Sequence, residues 1–215
     1  MMRIVMVGAG YVGLVSGACF SEIGLDVTCV DSDKDKIDML LDGALPIYEP
    51  GLDRLVSDNV EAGRLHFTSD LASAVKGAKV IFIAVGTPSR RGDGHADLSY
   101  VYAAAEDIAK SADAGSIIVT KSTVPVGTGS QIKKRISVIR NDELEVAANP
   151  EFLREGSAIN DFMHPDRVII GVESSRAEDI MNDVYSSLSL NRTPVIITSL
   201  ETAEMIKYAS NTFLA

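Results

Sequence analysis

A glycine-rich turn directly follows the first apolar run of the chain. The segment "RIVMVGAGYVG" places glycines at positions 8, 10 and 13. At this spacing Gly8 permits a tight turn, Gly10 lets the backbone approach a pyrophosphate group, and Gly13 lets a helix pack close to a strand. The pattern therefore predicts a strand, a turn and a helix whose N-terminus, at Tyr11 and Val12, faces phosphate groups.

Short apolar runs alternate with helical patterns along almost the whole chain. Most of the runs are continuously apolar, as in a parallel sheet that is covered on both faces. We therefore predict a doubly wound α/β fold, Rossmann-like, with a mainly parallel sheet. The predicted strands cover residues 3–8, 26–31, 79–86, 116–122, 144–150, 167–172 and 194–199, and the predicted helices cover about 11–24, 33–41, 51–62, 70–76, 98–112, 127–140, 155–161 and 176–188.

The sequence ends on "ETAEMIKYASNTFLA", which has a helical composition and no closing Gly or Pro. Glu204, Lys207 and Asn211 recur at spacings of three and four, so they share one polar stripe on an otherwise apolar helix. We place a domain boundary near residue 199. It separates a dinucleotide-binding domain over 1–199 from an unfinished helix over 200–215.

Charge and composition argue against several classes of partner and site. The chain has 20 basic and 30 acidic residues, a formal charge of −10, which argues against nucleic acid or an anionic membrane as partner. No run approaches a membrane span and no signal-peptide cleavage site follows the N-terminus, so we expect a cytoplasmic protein. Cys19 and Cys29 fall inside a helical and a strand pattern and are predicted to be core residues. His66, His95 and His164 show no ligand spacing, so no metal site is predicted.

The second predicted strand adds context to the glycine turn. It ends in Asp31, 18 residues after Gly13, where a carboxylate can accept hydrogen bonds from both ribose hydroxyls of an adenosine. Asp31 and the neighbouring Asp33 would repel a 2′-phosphate, and no Arg lies close by in the sequence, which favours NAD over NADP as the cofactor. Lys36 either reaches the same ribose or is an ordinary solvated lysine.

Small residues and hydroxyls follow two further strands, in "AVGTPS" and "KSTVPVGT". In doubly wound folds the carboxyl ends of the strands line the ligand crevice, so we place Gly86, Thr87 and Thr123 near the dinucleotide. For either threonine, a helix cap or turn residue is the alternative interpretation.

The segment "NPEFLREGSAIND" follows the next strand in the same way. Glu151 and Glu155 are four residues apart, so a helical turn would place both carboxylates on one side, with Arg154 between them. The alternative interpretation is that Glu151 and Glu155 are ordinary solvated surface residues. The position at the carboxyl end of a strand favours a functional site.

Seven motifs together resemble the UDP-glucose 6-dehydrogenase family, in the same order and over the whole chain. They are "MRIVMVGAGYVGLVSGACFSEIG", "IYEPGL", "VGTPS", "KSTVPVGT", "NPEFLREGSAINDF", "HPDRVIIG" and "AEMIKYASNTFLA". The resemblance implies that two hydride transfers to two NAD⁺ convert the C6 alcohol of a UDP-sugar to a carboxylate, through a thioester on a cysteine. Sister enzymes that act on GDP-mannose or UDP-N-acetylated sugars share several of the motifs.

The resemblance also implies roles for individual residues. Lys207 would stabilise developing oxyanion character or accept the proton of the alcohol, Asn211 would position the sugar, and Glu151 would assist thioester hydrolysis. Thr123 would hold a water or the cofactor. The residues implied to line the sugar and the nicotinamide are Phe152, Leu153, Arg154 and Glu155.

The terminal helix resembles the start of the family's long connecting helix, which forms much of a homodimer interface. The family's catalytic cysteine lies in a motif downstream of this helix, and neither Cys19 nor Cys29 matches it. We therefore expect the 215 residues to bind NAD without completing the oxidation. Two other interpretations remain open: a non-catalytic nucleotide-binding module, and an unrelated β-hydroxyacid-type dehydrogenase, which would not need "NPEFLREG".

Overall fold

A computed structural model describes residues 1–90, 92, 94–141, 144–189 and 193–214. Its strands are β1 (Arg3–Val7), β2 (Asp26–Val30), β3 (Leu65–Thr68), β4 (Val80–Ile83), β5 (Ile117–Thr120), β6 (Glu145–Ala148), β7 (Val168–Gly171) and β8 (Val195–Thr198). Its helices are α1 (Tyr11–Glu22), α2 (Lys34–Leu41), α3 (Leu52–Glu61), α4 (Leu71–Ala74), α5 (Ser99–Ser111), α6 (Thr128–Ile139), α7 (Ala158–Met163), α8 (Ser175–Val184), α9 (Ser186–Ser189) and α10 (Leu200–Leu214). Within the described residues, no helix is long and apolar enough to cross a membrane.

The strands form one sheet in the order β3-β2-β1-β4-β5-β6-β7-β8. Neighbouring strands pair in parallel, except that β6 and β7 meet antiparallel through Ala148 and Gly171. The order reverses at β1, which pairs with β2 on one side and β4 on the other, as in a doubly wound fold. The predicted fold class is therefore confirmed.

Both faces of the sheet are covered by helices. Alternate residues of β1 serve the two faces, since Ile4 and Met6 join the cluster under α1, α3 and α7 while Val5 and Val7 join the cluster under α4, α5 and α6. This double burial explains why the central strand β4 is apolar at every position.

Aromatic stacking fixes α1 against the sheet. The ring of Phe20 stacks on Phe82 of β4 at 5.2 Å between centroids and meets Phe162 of α7 edge-on at 4.9 Å. Each fully buried side chain of this size stabilises the fold by roughly 1.5 to 3 kcal/mol. Cys19 and Cys29 lie in the same cluster as free thiols, and burial raises the pKa of each thiol to about 12, so their prediction as core residues is confirmed.

Three elements differ from the sequence prediction. The edge strand β3 was not predicted, because only Leu65 and Phe67 of its four residues are buried and His66 between them is exposed. The helix predicted from residue 155 begins instead at Ala158, since Gly156 has a φ of +86°. The helix predicted at 176–188 is divided into α8 and α9.

The first half of α10 packs on the sheet. Leu200 and Ala203 are buried against Ile169 of β7, and a Cβ at Gly171 would lie 2.8 Å from the Cβ of Ala203. The second half of α10 is more exposed, with Phe213 90% accessible. The domain boundary near residue 199 stays a prediction.

We predict that Gly13→Ala destabilises the fold while Gly10→Ala does not. A Cβ at Gly13 would lie 1.8 Å from the carbonyl oxygen of Gly8, whereas a Cβ at Gly10 would have no described atom within 4 Å. Overpacking of this kind lowers the free energy of unfolding by about 1 to 3 kcal/mol or more. Urea denaturation of both variants and of the parent chain measures the difference, and equal midpoints for the two variants would contradict the prediction.

Candidate functional site

The glycine turn presents the N-terminus of α1 at the carboxyl edge of the sheet. Gly8 has a φ of +105°, and a Cβ there would lie 2.7 Å from the carbonyl oxygen of Ala84, so only glycine fits. Gly10 is the N-cap of α1 and has no side chain to cap the helix, and a Cβ at this position would have no described atom within 4 Å. The amides at Tyr11 and Val12 therefore lie beside an open space, the arrangement that binds a pyrophosphate.

Asp31 lies directly beside this turn, at the end of β2. The backbone N–H of Ala9 and the ammonium of Lys36 both donate to Asp31 Oδ2 at 2.8 Å, and the N–H of Asp33 donates to Oδ1 at 3.0 Å. Burial opposes ionisation, but the hydrogen bonds from Lys36, Asp33 and Ala9 outweigh it and hold the pKa of Asp31 below its usual range. Lys36 is thus held beside the carboxylate, and its contact with a ribose stays a prediction.

The segments that follow β4 and β5 are joined by hydrogen bonds from side-chain hydroxyls to backbone carbonyls. Thr87 Oγ1 donates to the carbonyl oxygen of Thr123 at 3.1 Å, and Ser122 Oγ donates to the carbonyl oxygen of Val85 at 2.6 Å. Both threonines are half-buried, and Gly86 is exposed beside them. These bonds join two strand ends next to the glycine turn, where the doubly wound fold has its crevice.

Glu151 and Lys207 form an ion pair between the loop after β6 and helix α10. Lys207 Nζ donates to Glu151 Oε1 at 3.0 Å, and the side chains are only 9% and 11% exposed. Glu151 Oε2 accepts from the N–H of Leu153 at 2.6 Å, and the ammonium lies 5.3 Å from the centre of the Phe152 ring. The pair is therefore a fixed charge pair in a largely dry setting. Asn211, one turn further along α10, is exposed to solvent.

A second contact anchors α10 beside the pair. Glu204, 2% exposed, accepts from the N–H groups of Gly127 and Gly129 at 2.6 and 2.7 Å, at the start of α6. Burial raises the pKa of Glu204, although the amide hydrogen bonds oppose the rise. The polar stripe predicted on the terminal helix thus faces α6 at Glu204 and the loop after β6 at Lys207.

The segment that contains Glu151 and Glu155 is not a helical turn, so the condition under which both carboxylates would lie on one side of a helix is not met. Residues 151–157 form an irregular loop, so the two carboxylates are not held on one side of a helix, and Glu155 is exposed. Arg154 points elsewhere, because its guanidinium donates to both carboxylate oxygens of Asp161 in α7 at 2.7 and 3.0 Å. The positive φ of Gly156 separates the loop from α7, so the helix does not extend back to Glu155.

A cavity of about 470 Å³ opens beneath this loop. The residues after β6, helix α7 and the start of β7 surround it, and its polar wall includes residues that the sequence analysis did not select. These lining residues include Lys121, Asn149, Asn160, His164, Arg167 and Tyr185. The only sequence signal was a lysine placed directly after a buried strand, within "TKST".

Lys121 is the least expected of these residues, because it is 3% exposed. Its ammonium donates to Asn149 Oδ1 at 3.1 Å, lies 3.5 Å from the Tyr185 hydroxyl oxygen, and is about 6 Å from the centres of two aromatic rings, those of Phe82 and Phe162. Burial lowers its pKa to about 8, while Glu151 opposes that shift. A buried amine of this kind can change its charge near neutral pH.

The fold and the glycine turn with its neighbouring carboxylate define a dinucleotide-binding domain. Residues 2–189 match the profile of the UDP-glucose/GDP-mannose dehydrogenase family, NAD binding domain. The chain belongs to this family, and NAD is the cofactor of the domain, as the sequence predicted. The open Gly10 and the free amides of α1 fit the pyrophosphate of that cofactor.

Known proteins of the family cover the whole chain. It is 57% identical to the UDP-glucose 6-dehydrogenase of Rhizobium meliloti and 49% identical to UDP-glucose 6-dehydrogenase TuaD of Bacillus subtilis, with 100% of the chain matched to 50% and 46% of those proteins. The structure of a UDP-glucose dehydrogenase from Pyrobaculum islandicum superposes with a TM-score of 0.92 at 38% identity, over 100% of this chain and 50% of the other. For the GDP-mannose dehydrogenase of Pseudomonas aeruginosa the TM-score is 0.93 at 36% identity, over 99% and 50%. The chain spans about half the length of these relatives.

We predict that the free energy of unfolding of the parent chain rises between about pH 8 and pH 10.5 and that Lys121→Met removes this rise. The pKa of Lys121 falls from 10.5 to about 8 on folding, so in this window the unfolded chain binds more protons and stability increases with pH. The parent chain should therefore gain roughly 2 to 3 kcal/mol relative to the variant across the window. Chemical denaturation at a series of pH values measures this gain, and parallel profiles for the two proteins would contradict it.

Proposed function

We propose that this chain is the cofactor-binding half of an NAD-dependent dehydrogenase that oxidises C6 of UDP-glucose to give UDP-glucuronate. One observation carries the proposal: the Glu151–Lys207 ion pair lies at the same edge of the sheet as the glycine turn with Asp31. The family, and the activity named for its relatives, support the choice of reaction. NAD, when bound, accepts the hydride that leaves the alcohol carbon.

The residues at the turn would hold the cofactor. The amides at the start of α1 would bind the pyrophosphate, and Asp31 with Lys36 would bind the adenosine ribose, because an ionised carboxylate accepts from hydroxyls and an ammonium donates to them. We place Gly86, Thr87 and Thr123 along the rest of the dinucleotide.

The residues of the ion pair would handle the sugar. A largely buried ammonium stabilises negative charge on an alcohol or aldehyde oxygen more strongly than a solvated one, so Lys207 in its charged form would hold that oxygen. In its neutral form the Lys207 amine would instead accept the proton of the alcohol. Glu151, held by Lys207 and Leu153, would direct a water in the later hydrolysis of the thioester. Asn211 would position the sugar, and the residues of the loop that would line it are Phe152, Leu153, Arg154 and Glu155.

Completion of the oxidation requires a reactive thiol that this half does not supply. Cys19 and Cys29, the two cysteines of the sequence, are buried and have a thiol pKa raised to about 12, so neither forms a thiolate near neutral pH. We therefore propose that the other half of a complete enzyme provides the cysteine and that α10 connects the two halves. A cytoplasmic homodimer is part of the same proposal.

A sister activity on GDP-mannose is the second candidate. It is favoured by the superposition on the GDP-mannose dehydrogenase structure, which is as close as that on the UDP-glucose enzyme. Equilibrium binding of UDP-glucose and GDP-mannose in the presence of NADH distinguishes the two. Preference for the uridine nucleotide supports the first proposal, and preference for the guanosine nucleotide supports the second.

We predict that the parent chain binds NADH and that Asp31→Ala weakens this binding by about ten-fold or more, since hydrogen bonds to a charged group contribute about 1.5 to 3 kcal/mol. NADPH should bind the variant better than it binds the parent chain, because the repelling carboxylate is gone. Titration of NADH fluorescence measures both affinities. Asp35→Ala, which removes an exposed carboxylate from the same helix α2 as Lys36, is the matched control and should bind as the parent does.

Gly10→Ala provides a second test within the same titration. Its fold should be unchanged, but its added methyl group would occupy the space through which the pyrophosphate approaches. Unaltered NADH affinity in both Asp31→Ala and Gly10→Ala would contradict the cofactor site.

A further inference from the structure

A buried glutamate lies between the cofactor turn and the loop that carries Glu151. Glu49 belongs to the "IYEPGL" segment before α3, for which the sequence analysis gave no role. It is 4% exposed, far less than an ordinary surface carboxylate. Its neighbour Tyr48 is 86% exposed, so the segment buries the charged residue and leaves the aromatic one in solvent.

Three described donors converge on this carboxylate. The hydroxyl of Tyr11 donates to Glu49 Oε2 at 2.5 Å, the N–H of Gly156 donates to the same oxygen at 2.8 Å, and the N–H of Ala158 donates to Oε1 at 2.8 Å. Tyr11 is the first residue of α1, directly after the glycine turn. Gly156 lies near the end of the irregular 151–157 loop, and Ala158 is the first residue of α7.

The contacts therefore join segments that are far apart in the sequence. Tyr11 is separated from Glu49 by 38 positions, and Gly156 by 107. The Tyr11 hydroxyl also lies within hydrogen-bonding reach of the Gly156 backbone. Movement of the tyrosine hydroxyl and movement of the Gly156 and Ala158 amides are thus linked at Glu49.

The charge of Glu49 makes these bonds strong and directional. Burial opposes its ionisation, but the donors at Tyr11, Gly156 and Ala158 outweigh burial and hold the pKa of Glu49 below its usual range. Burial and the hydrogen bond to Glu49 raise the pKa of the Tyr11 hydroxyl, so the tyrosine keeps its proton and remains the donor. Hydrogen bonds to an ionised acceptor are roughly twice as strong as neutral ones.

We propose that Glu49 is a positioning residue that couples occupancy of the cofactor turn to the order of the 151–157 loop. The inference rests on the proposed function, because it assumes that NAD binds beside Tyr11. Binding that fixes the start of α1 also fixes the tyrosine hydroxyl, and through Glu49 it holds Gly156 and Ala158. Coupling between two sites is reciprocal, so an ordered loop also favours the cofactor.

A purely structural glutamate would hold the loop equally with and without cofactor. The distinguishing quantity is therefore the change that NADH causes in loop exchange. Tyr11→Phe removes only the hydroxyl and leaves the two backbone N–H donors on Glu49, so it separates coupling from loop support. Glu49→Gln keeps the shape but removes the charge. Tyr48→Phe removes an exposed hydroxyl from the neighbouring position and is the matched control.

Amide-resolved hydrogen exchange of the 215-residue chain, with and without saturating NADH, is the test. In the parent chain and in Tyr48→Phe, NADH should slow exchange at Gly156 and Ala158 by about five-fold or more. In Tyr11→Phe, which keeps the backbone amide, the change that saturating NADH causes at the amides of Gly156 and Ala158 should fall below about two-fold. In Glu49→Gln, these amides should exchange faster even without NADH.

Two results would overturn the coupling while leaving the proposed function intact. One is NADH binding to the parent chain with no change at Gly156 and Ala158, and the other is an undiminished change in Tyr11→Phe. Failure of the parent chain to bind NADH would overturn the proposed function and the coupling together.

Discussion

The close contact of the first helix with the sheet is the constraint on which the candidate site depends. The turn between β1 and α1 is so tight that a methyl group at Gly13 would collide with the carbonyl oxygen of Gly8. Because α1 begins at this point, its free amides lie at the carboxyl edge of the sheet, and Ala9 is near enough to bind Asp31. The Phe20 stack then holds the other end of the helix on β4. The carboxylate of Asp31 at the end of β2 and the N-terminus of α1 thus lie side by side.

The second half of the site depends on charged groups that are buried among tertiary partners. Lys207 and Glu204 lie three residues apart on α10 and bind different elements, the loop after β6 and the start of α6. Removal of either Glu151 or Lys207 would leave the other charge uncompensated in a largely buried setting, and removal of Glu204 would leave two backbone N–H groups at the start of α6 without their acceptor, so both contacts help to specify the position of α10. Glu49 likewise holds the start of α1 and the end of the loop in position, because it accepts hydrogen bonds from both. The hydrogen bonds of Glu49 thus connect the proposed cofactor subsite to the loop, and the ion pair of Lys207 connects the same loop to α10 at the proposed sugar subsite.

Sequence patterns predicted the sheet and the cofactor turn because these depend on local periodicity and on glycine spacing. The continuously apolar runs specify buried parallel strands, and the spacing of Gly8, Gly10 and Gly13 permits few other turns. The roles of Glu151 and Lys207 were implied by the family resemblance, but their contact spans 56 positions and no local pattern encodes it. The same reason explains why the buried Lys121 and Glu49 were not selected. Local patterns also failed where one residue changes the backbone, as Gly156 does before α7, and where only half of a short strand is buried, as in β3.

A crystal structure of this chain with bound NAD⁺ would test the central claim most directly. We expect the pyrophosphate at the backbone amides of Tyr11 and Val12, the adenosine ribose hydroxyls on Asp31, and an intact ion pair between Lys207 and Glu151. NAD⁺ bound in the cavity beside Lys121, with the glycine turn making no contact with it, would contradict the cofactor site proposed above.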